Sequence, residues 1–282
     1  MVGNAGGERM DRRWLVTGCS SGLGRAVAVA AAGAGDLVVA SARRLGDVEE
    51  LARAHPGRVT AVALDVCDPA QCEAAVAHAV DRFGGVDVLV NNAGGGLLGA
   101  VEEVSDDELR AQLDVLVVAA WRLTRLVLPH MRRQGSGHVV NVSSLAGRMA
   151  FPGLSAYVAG KYALEGMSQA LAAEVASLGI RVTVVEPGAF ATRYGASLAS
   201  AAAHVEAYTE VTRPMREGLQ SLKDNPAFGR PEAFAAQVLR LVAADQAPPL
   251  RVPIGDDAYV FTEAVEKANA REFEAARAFL LG

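Results

Sequence analysis

Two side chains four residues apart, Tyr157 and Lys161, are the strongest candidates for chemistry in the sequence. They lie in residues 155–178, a stretch of helical length and period, so this spacing places both on one face of a helix. A free tyrosine has a pKa of about 10, and a neighbouring ammonium stabilises the phenolate and lowers that pKa. Such a tyrosine can act as a general acid in carbonyl reduction and as a general base in alcohol oxidation.

A glycine-rich turn, residues 17–24, follows the first predicted strand and opens the first predicted helix. Its glycines allow a close approach of the backbone to a phosphate, and the helix N-terminus beyond them offers free N–H groups. Two serines add hydroxyl donors. The strand before and the helix after favour a dinucleotide site over a turn that needs glycine only for its backbone. The residues expected to contact this cofactor are Gly18, Ser20, Ser21, Gly22, Leu23 and Gly24.

The end of the second predicted strand bears on which nicotinamide cofactor is bound. An acidic residue at this position accepts a hydrogen bond from the 2′-hydroxyl of NAD. The sequence instead reads Ser41-Ala-Arg-Arg44. Because guanidinium groups pair well with phosphate, Arg43 and Arg44 predict that NADPH or NADP+ is preferred over NAD, through its 2′-phosphate.

Short apolar runs alternate with alanine-rich helical stretches along the chain. The runs are strand-length and rich in β-branched residues, and they cover 14–17, 36–41, 59–64, 86–90, 138–142, 180–185 and 250–254. The stretches 22–33, 69–83, 106–133 and 155–178 have helical length and period. This alternation predicts an α/β fold, a doubly wound Rossmann-type parallel sheet of about seven strands with helices on both faces, in a single domain.

The ends of the chain and one internal segment depart from this alternation. Residues 1–11 are expected to form a flexible leader, and residues 12–282 a single NADP-binding catalytic domain. Residues 189–230 follow the sixth strand, where a substrate lid would sit, although an ordinary surface excursion is the alternative. Residues 262–280 predict an amphipathic C-terminal helix. Candidates for an apolar substrate pocket, or for plain packing, are Met149, Phe151, Phe190, Tyr194 and Tyr208.

The composition argues against several functional classes. The 282 residues carry a formal net charge of −5, without the basic tail or stripe of a nucleic-acid binder. No apolar run approaches the ~20 residues that cross a bilayer, and the first residues lack the core of a signal peptide. Three cysteines and five histidines are scattered without metal-ligand spacing. We therefore expect no metal site, reduced thiols and a cytoplasmic location.

Further polar and glycine residues stand at the ends of successive predicted strands. Asn91-Asn-Ala-Gly94 ends the fourth, Ser143-Ser144 the fifth and Pro187-Gly188 the sixth, with Thr192 shortly after. The carboxyl ends of parallel strands form the edge at which ligands bind in such folds. Together with the glycine-rich turn and the Tyr-x-x-x-Lys pair, over roughly residues 12–255, these motifs resemble the classical short-chain dehydrogenase/reductase family.

The resemblance implies a role for each matching position. Ser144 matches the catalytic serine that hydrogen-bonds the substrate oxygen, Tyr157 the residue that gives or takes the proton, and Lys161 the residue that holds the nicotinamide ribose. Asp65 matches the acidic residue that meets the adenine amino group, with Val66 beside it. The other matches support the sheet or line the cofactor site, and they are Asn91, Ala93, Gly94, Pro187, Gly188 and Thr192.

The sequence departs from the family at Leu116, where a catalytic asparagine is expected. That asparagine is thought to hold a water that links the lysine to solvent, and leucine has neither a donor nor an acceptor. Retained activity with another proton path, slower turnover, and NADPH binding without turnover are the three hypotheses. The presence of the serine, tyrosine and lysine favours retained activity. Gly160, where the family often has serine, is expected to leave room near the cofactor.

The sequence thus predicts an NADPH-dependent ketoreductase, or an alcohol dehydrogenase in reverse, acting on an apolar small-molecule carbonyl or alcohol. Two alternatives stay open, namely an NADP-binding protein with weak or no turnover, and redox-neutral epimerase or dehydratase chemistry. The resemblance further implies a homodimer or homotetramer built through the helices predicted over 106–133 and 155–178. No nucleic-acid or membrane partner is expected.

Overall fold

The core of the molecule is one parallel sheet of seven strands. The computed structural model describes residues 11–192, 194, 198–220 and 228–281. Its strands are β1 (Arg13–Val16), β2 (Leu37–Ala42), β3 (Val59–Ala63), β4 (Val88–Asn91), β5 (Leu97–Leu98), β6 (Gly137–Val142), β7 (Ile180–Pro187), β8 (Ala199–Ser200) and β9 (Arg251–Ile254). The seven-stranded sheet has the order β3-β2-β1-β4-β6-β7-β9, and every neighbouring pair is parallel.

Helices cover both faces of this sheet. They are α1 (Gly22–Gly33), α2 (Gly46–Ala54), α3 (Pro69–Phe83), α4 (Asp106–Leu113), α5 (Ala119–Gln134), α6 (Ser155–Val175), α7 (Thr209–Gln220), α8 (Pro231–Ala243) and α9 (Asp256–Leu281). Buried side chains of α1, α2 and α8 form one core with the sheet, and those of α3, α5 and α6 form a second. The predicted single-domain, doubly wound Rossmann-type fold is therefore confirmed.

Alternation along the strands explains why two cores form. In β1, Trp14 and Val16 join the core beneath α1 and α8, whereas Leu15 joins the core beneath α3 and α5. Val38 and Val39 of β2 divide in the same way. Because successive side chains point to opposite faces and both kinds are apolar, each strand must be buried on both sides.

The predicted elements are present, and the structure adds to them. The C-terminal helix predicted over 262–280 begins earlier, at Asp256, and α2 and α8 lie outside the predicted helical stretches. The seven sheet strands are confirmed, with ends displaced by up to two residues. The helix predicted over 106–133 is interrupted, because Asp114–Val118 form a π-helical turn in which the Ala119 N–H donates to the carbonyl of Asp114. Such turns are rare and occur frequently at functional sites. The parallel pair β5–β8 lies outside the prediction, since each strand has only two residues.

The segment predicted as a lid contains β8, a 3-10 turn at Glu206–Tyr208 and α7. Its residues 193, 195–197 and 221–227 lie outside the described residues, as do residues 1–10 of the predicted leader. Asp11, the first described residue, forms an ion pair with Arg58. None of the described helices combines the length and the apolar character needed to cross a membrane. Within the same ranges, His, Cys, Asp and Glu side chains form no group of three or more that could hold a metal ion.

Candidate active site

The glycine-rich turn between β1 and α1 is shaped by contacts that only glycine allows. Gly18 and Gly22 have φ angles of +73° and +61°, in the left-handed region that favours glycine. A Cβ atom on Gly18 would lie 2.9 Å from the Cα atom of Ala93, and one on Gly24 would overlap the Asn92 amide. The backbone of the turn is therefore pressed against the segment that follows β4.

The N-terminus of α1 is suited to an anion. Ser21 is the extended N-cap residue, and its hydroxyl makes no capping hydrogen bond. Ser20 is exposed, and the first turn of α1 holds no acidic residue. The N–H groups and the positive dipole end of such a terminus favour a phosphate. The side chain of Leu23 packs against the core, so a cofactor contact from this residue falls to its backbone.

Thr17 and Asn92 fasten the glycine-rich turn to β4. The Thr17 hydroxyl oxygen accepts hydrogen bonds from the N–H groups of Asn92 at 3.0 Å and Ala93 at 2.9 Å. The Asn92 side-chain amide donates to the carbonyls of Thr17 at 2.8 Å and Gly18 at 3.3 Å. Asn92 was not among the site residues predicted from the sequence. In the sequence its only signal is its place as the second residue of Asn-Asn-Ala-Gly, because its partners, Thr17 and Gly18, lie in the glycine-rich turn, far away in the chain.

Asn91 braces the sheet from inside. Its side-chain amide donates to Asn141 at 2.8 Å and to the Thr124 hydroxyl at 3.2 Å, and Asn141 donates to Ser168 at 2.8 Å. These bonds tie β4 and β6 to α5 and α6. The Asn91 side chain thus supports the sheet, and a cofactor contact from this residue falls to its backbone.

Arg43 and Arg44 directly follow β2 at the carboxyl edge of the sheet, and both are exposed. Arg44 forms a bidentate ion pair with Asp47, with Nε–Oδ2 and Nη2–Oδ1 distances of 3.1 and 3.0 Å. Its side chain nevertheless keeps 83% of its surface exposed, so the guanidinium is open to a further anion.

Asp65 is held in a tight turn after β3. Its Oδ1 atom accepts from the Cys67 N–H at 3.0 Å, and its own N–H donates to the Gln71 side chain at 2.8 Å. Val66 is buried, and its carbonyl accepts from Arg122 at 2.9 Å. The turn is thereby fixed beside the end of β2, where the sequence places the adenosine end of the cofactor.

The end of β7 approaches the glycine-rich turn. Pro187 is the last residue of β7, and a Cβ atom on Gly188 would overlap the carboxylate of Asp257 from α9. The Thr192 methyl lies 3.4 Å from the position that a Cβ atom of Gly22 would take. Two predicted segments far apart in sequence thus meet at the same edge of the sheet.

Ser144, Tyr157 and Lys161 converge beyond the end of β6. The Ser144 hydroxyl acts on Tyr157 as a hydrogen-bonding partner that lowers the pKa of the tyrosine, and it accepts from the Ala146 N–H at 3.1 Å. Tyr157 and Lys161 lie one turn apart on α6, with the Lys161 Nζ atom 5.6 Å from the centroid of the tyrosine ring. Lys161 also donates to the carbonyl of Val142 at 2.7 Å, which ties α6 to β6.

Burial sets the protonation of these groups. It raises the pKa of Tyr157, against the opposing hydrogen bonds from Tyr194 and Ser144. It also lowers the pKa of Lys161 to about 8, against the opposing carboxylate of Glu165. At neutral pH the tyrosine therefore keeps a proton to give, and the lysine is an ammonium that releases its proton more readily than an exposed one.

Leu116 lies in the π-helical turn, beside these groups, and is only 3% exposed. A Cβ atom on Gly160 would lie 2.7 Å from Leu116 Cδ1, and one on Gly94 would lie 3.0 Å from Leu116 Cδ2. The room left by Gly160 is therefore filled by Leu116 rather than left open near the cofactor. An aliphatic side chain packs against the residue that precedes Lys161.

Part of the predicted lid closes an apolar cluster over Tyr157. The buried centre of this cluster consists of Leu98, Leu116, Ala146, Leu154 and Tyr157. The predicted lid segment adds Tyr194, Leu198, Met215 and Leu219. The rings of Tyr157 and Tyr194 are 5.9 Å apart at an angle of 53°. The Tyr157 ring thus lies among mostly apolar side chains.

Of the aromatic side chains predicted near the pocket, two lie elsewhere. Phe151 and Tyr194 pack on the cluster over Tyr157. Phe190 packs edge-on against Phe234 at 5.6 Å in the main core, and the Tyr208 hydroxyl donates to Glu102 at 2.8 Å on the surface. For Phe190 and Tyr208 the structure therefore favours the packing alternative, because their side chains contact Phe234 and Glu102.

Comparison with known proteins identifies the family. The sequence profile described as short chain dehydrogenase matches residues 12–203. The chain belongs to the short-chain dehydrogenase family. It is accordingly an oxidoreductase, in a family that acts on alcohols and carbonyls with nicotinamide cofactors.

Relatives match the short-chain dehydrogenase along nearly its whole length. It is 38% identical over 265 residues to Oxidoreductase BOA17 of Botryotinia fuckeliana, covering 93% of this chain and 96% of that protein. It is 30% identical over 244 residues to 3-ketodihydrosphingosine reductase of Bacteroides thetaiotaomicron, covering 86% and 87%. A short-chain dehydrogenase structure from Streptomyces avermitilis superimposes with a TM-score of 0.88 at 41% identity, covering 96% and 98%.

Proposed function

We propose that this short-chain dehydrogenase is an NADPH-dependent ketoreductase, or an alcohol dehydrogenase in reverse, acting on an apolar small molecule. The convergence of Ser144, Tyr157 and Lys161 beside the glycine-rich turn carries this proposal. Ser144 holds the substrate oxygen, Tyr157 gives that oxygen a proton in reduction or removes it in oxidation, and Lys161 restores the proton of the tyrosine. The nicotinamide supplies or accepts the hydride when bound.

The cleft between β1, β4 and β7 suits a dinucleotide. Backbone N–H groups at the start of α1, with the hydroxyls of Ser20 and Ser21, would hold the diphosphate. The turn of Asp65 would meet the adenine. Ala93, Gly94 and the segment from Pro187 to Thr192 would border the nicotinamide end, which lies toward Tyr157 and Lys161.

The preference for NADPH rests on charge at the end of β2. Arg43 and Arg44 are exposed there, and no carboxylate occupies the last position of the strand, Ala42. Asp47 faces Arg44 and would repel a 2′-phosphate less than Arg43 and Arg44 together attract it. Since cellular NADPH pools are usually kept reduced, this preference favours reduction as the working direction.

An apolar substrate is supported by the cluster over Tyr157, because lid and α6 side chains leave few polar partners for a substrate beyond its reacting oxygen. A relative named 3-ketodihydrosphingosine reductase fits the same chemical class. Residues 189–230 act in this account as the lid that closes over the substrate. Residues 12–282 would make one catalytic domain behind the leader of residues 1–11.

Assembly and location complete the proposal. Trp121 of α5 and Tyr162 of α6 are 59% and 47% exposed, which supports a homodimer or homotetramer formed through these helices. Cys19, Cys67 and Cys72 are free thiols, in keeping with a reducing compartment such as the cytoplasm.

A carbonyl panel tests this function. Purified protein is mixed with NADPH or NADH and with aliphatic, aromatic and polycyclic ketones, and oxidation of the nicotinamide is followed by absorbance. We expect faster oxidation with NADPH and a loss of at least about a hundredfold in Tyr157→Phe, because the proton donor is removed. NADPH binding with no oxidation of any ketone would contradict the reductase and favour the weak-turnover or redox-neutral alternatives.

A further inference from the structure

A buried acidic cluster lies behind Lys161. Glu165 follows the lysine by one turn of α6, and Glu186 lies on β7, next to the strand whose Val142 carbonyl binds the lysine. Glu165 is 4% exposed and Glu186 is fully buried. Carboxylates are rarely buried without a partner, so this cluster needs an explanation beyond chance.

Two arginines cover the outer side of the carboxylates. Arg251 Nε donates to Glu165 at 2.9 Å. Arg148 Nε lies 2.8 Å from Glu186 Oε1, in an ion pair without hydrogen-bond alignment, and Arg148 also pairs with Glu266 of α9 at 3.1 Å. The groups that face Glu186 are therefore one carboxylate and two guanidinium groups.

Several oxygens of the cluster keep hydrogen-bonding capacity. Ser143 Oγ, Glu165 Oε1 and both carboxylate oxygens of Glu186 are buried and make no hydrogen bond within the described part of the chain. A Cβ atom on Gly147 would lie 2.5 Å from Ser143 Oγ and 3.0 Å from Glu165 Oε1, so no side chain separates these two atoms. Neighbouring buried carboxylates resist being charged together, and a proton held between them relieves the repulsion.

The cluster meets a need created by Leu116. Its aliphatic side chain lies against Gly160 and offers no polar atom to pass a proton toward Lys161. We propose that Glu165 and Glu186 form a buried proton reservoir that resupplies Lys161 during turnover. This inference rests on the proposed function, and it makes both residues positioning residues that act through the lysine.

The proton balance is simple. In reduction, Tyr157 transfers its O–H proton to the substrate oxygen, and an N–H proton of Lys161 restores the phenol. The carboxyl proton of Glu186 then passes by way of Glu165 to the lysine amine, which becomes an ammonium again. Lys161 Nζ donates to the Val142 carbonyl and forms no ion pair with Glu165 within the described part of the chain, so the last transfer runs through a water molecule between them. Each transfer breaks one bond to hydrogen and forms another, and the carboxylate left behind regains a proton from solvent. Burial and the Glu165 charge raise the pKa of Glu186 to about 7, which keeps the reservoir loaded below neutrality.

An infrared titration of the full chain without substrate tests the reservoir independently of turnover. A protonated carboxyl has a C=O stretch separate from the bands of a carboxylate. In the wild type we expect a buried carboxyl band that fades as the pH rises, with a midpoint near 7, and Glu186→Gln should lack it. Glu266→Gln is the matched control, because it removes the outer, exposed carboxylate from the same Arg148 and should keep the band. A wild type without such a band overturns the reservoir, whether or not any ketone is reduced.

The second readout is the pH dependence of kcat, measured with NADPH and a ketone that the enzyme accepts. The kcat of the wild type should fall at pH values above the midpoint of the infrared titration. Glu186→Gln, with unchanged NADPH affinity, should lose that limb, with kcat near pH 6 lowered about fivefold or more. Glu165→Gln should lower kcat in the same way and move the limb to lower pH, because the Glu165 charge raises the pKa of Glu186. It serves as the second variant if Glu186→Gln does not fold. Folded variants with the pH profile of the wild type would overturn the reservoir, since a purely structural pair alters stability and leaves the profile in place.

Discussion

At the residue scale, the side chain of Leu116 fills the space that a side chain at position 160 would take. The leucine replaces a polar side chain expected in the family, and the glycine replaces a larger one beside Lys161. Because a Cβ atom at position 160 would lie 2.7 Å from Leu116 Cδ1, the two departures are one steric exchange. Leu116 fits against α6 in this position because residue 160 has no side chain.

Two glycines of α6 make this exchange measurable. Gly160→Ala forces a methyl against Leu116 and should lower the free energy of unfolding by about 1–3 kcal/mol, as overpacking does. Gly166→Ala on the same helix meets nothing within 4 Å and should raise it by about 0.5–1 kcal/mol through helix propensity. Urea denaturation measures both variants.

The same substitution in a Leu116→Ala background is the decisive comparison. There the methyl at position 160 has room, so Gly160→Ala should no longer destabilise. A penalty of equal size in both backgrounds would show that Leu116 and Gly160 are independent.

Residue types and motif order were enough to predict Ser144, Tyr157 and Lys161, which the structure brings together. Other groups could not be predicted in this way. The side chains of Arg148, Glu165, Glu186 and Arg251 come from four separate segments, and each alone looks like an ordinary surface charge. Only the parallel register of β7 between β6 and β9 gathers them into one buried cluster.

At the element scale, helix α7 of the proposed lid contributes apolar side chains to the cluster over Tyr157. Met215 and Leu219 pack toward the cluster over Tyr157, whereas Val211 on the same helix is 55% exposed. The helix contains Pro214 and follows β8, which pairs with β5 in a separate two-stranded sheet. The side chains of Met215 and Leu219 contact this cluster, so single substitutions can remove these contacts one at a time.

Met215→Ala should raise the KM for an apolar ketone roughly fivefold to thirtyfold, because the lost methylene and thioether contacts are worth about 1–2 kcal/mol. The dissociation constant for NADPH should stay the same, since the cofactor contacts lie on other elements. Val211→Ala is the control and should change neither value. An equal change in both variants would mean that α7 affects stability rather than substrate contact.

Strands were the most predictable elements. Runs of β-branched residues such as 138–142 and 180–185 are buried on both faces of the sheet, and their sequence pattern clearly favours a strand over a helix. The π-helical turn at Asp114–Val118 was not predictable from periodicity, since one extra residue shifts the helical face without changing the composition. The pair β5–β8 escaped prediction because two residues carry no strand pattern.

At the scale of the whole molecule, the buried carboxylate of Glu186 couples stability to pH. Its pKa in the folded protein is raised from 4.5 to about 7 by burial and by Glu165, against the opposing charges of Arg148 and Arg251. In that window the folded protein binds more protons than the unfolded chain. The stability that this proton adds is fully present below pH 4.5 and is lost as the pH rises through 7.

Glu186→Gln removes this titration. The Tm of the wild type should therefore fall relative to that of the variant as the pH rises from about 5 to about 8. Glu266→Gln should follow the wild-type curve, because its carboxylate is exposed. Melting curves recorded across this range give the answer, and parallel curves for wild type and Glu186→Gln would contradict the raised pKa.

The most direct measurement of the central claim follows the hydride itself. NADPH carrying deuterium at the transferable position of the nicotinamide is incubated with the protein and an accepted ketone, and the product is analysed by mass spectrometry. Hydride transfer with Tyr157 as proton donor predicts one deuterium on the carbinol carbon and none on the exchangeable oxygen, with product lost in Tyr157→Phe. An alcohol without deuterium on carbon, or equal product from Tyr157→Phe, would contradict it.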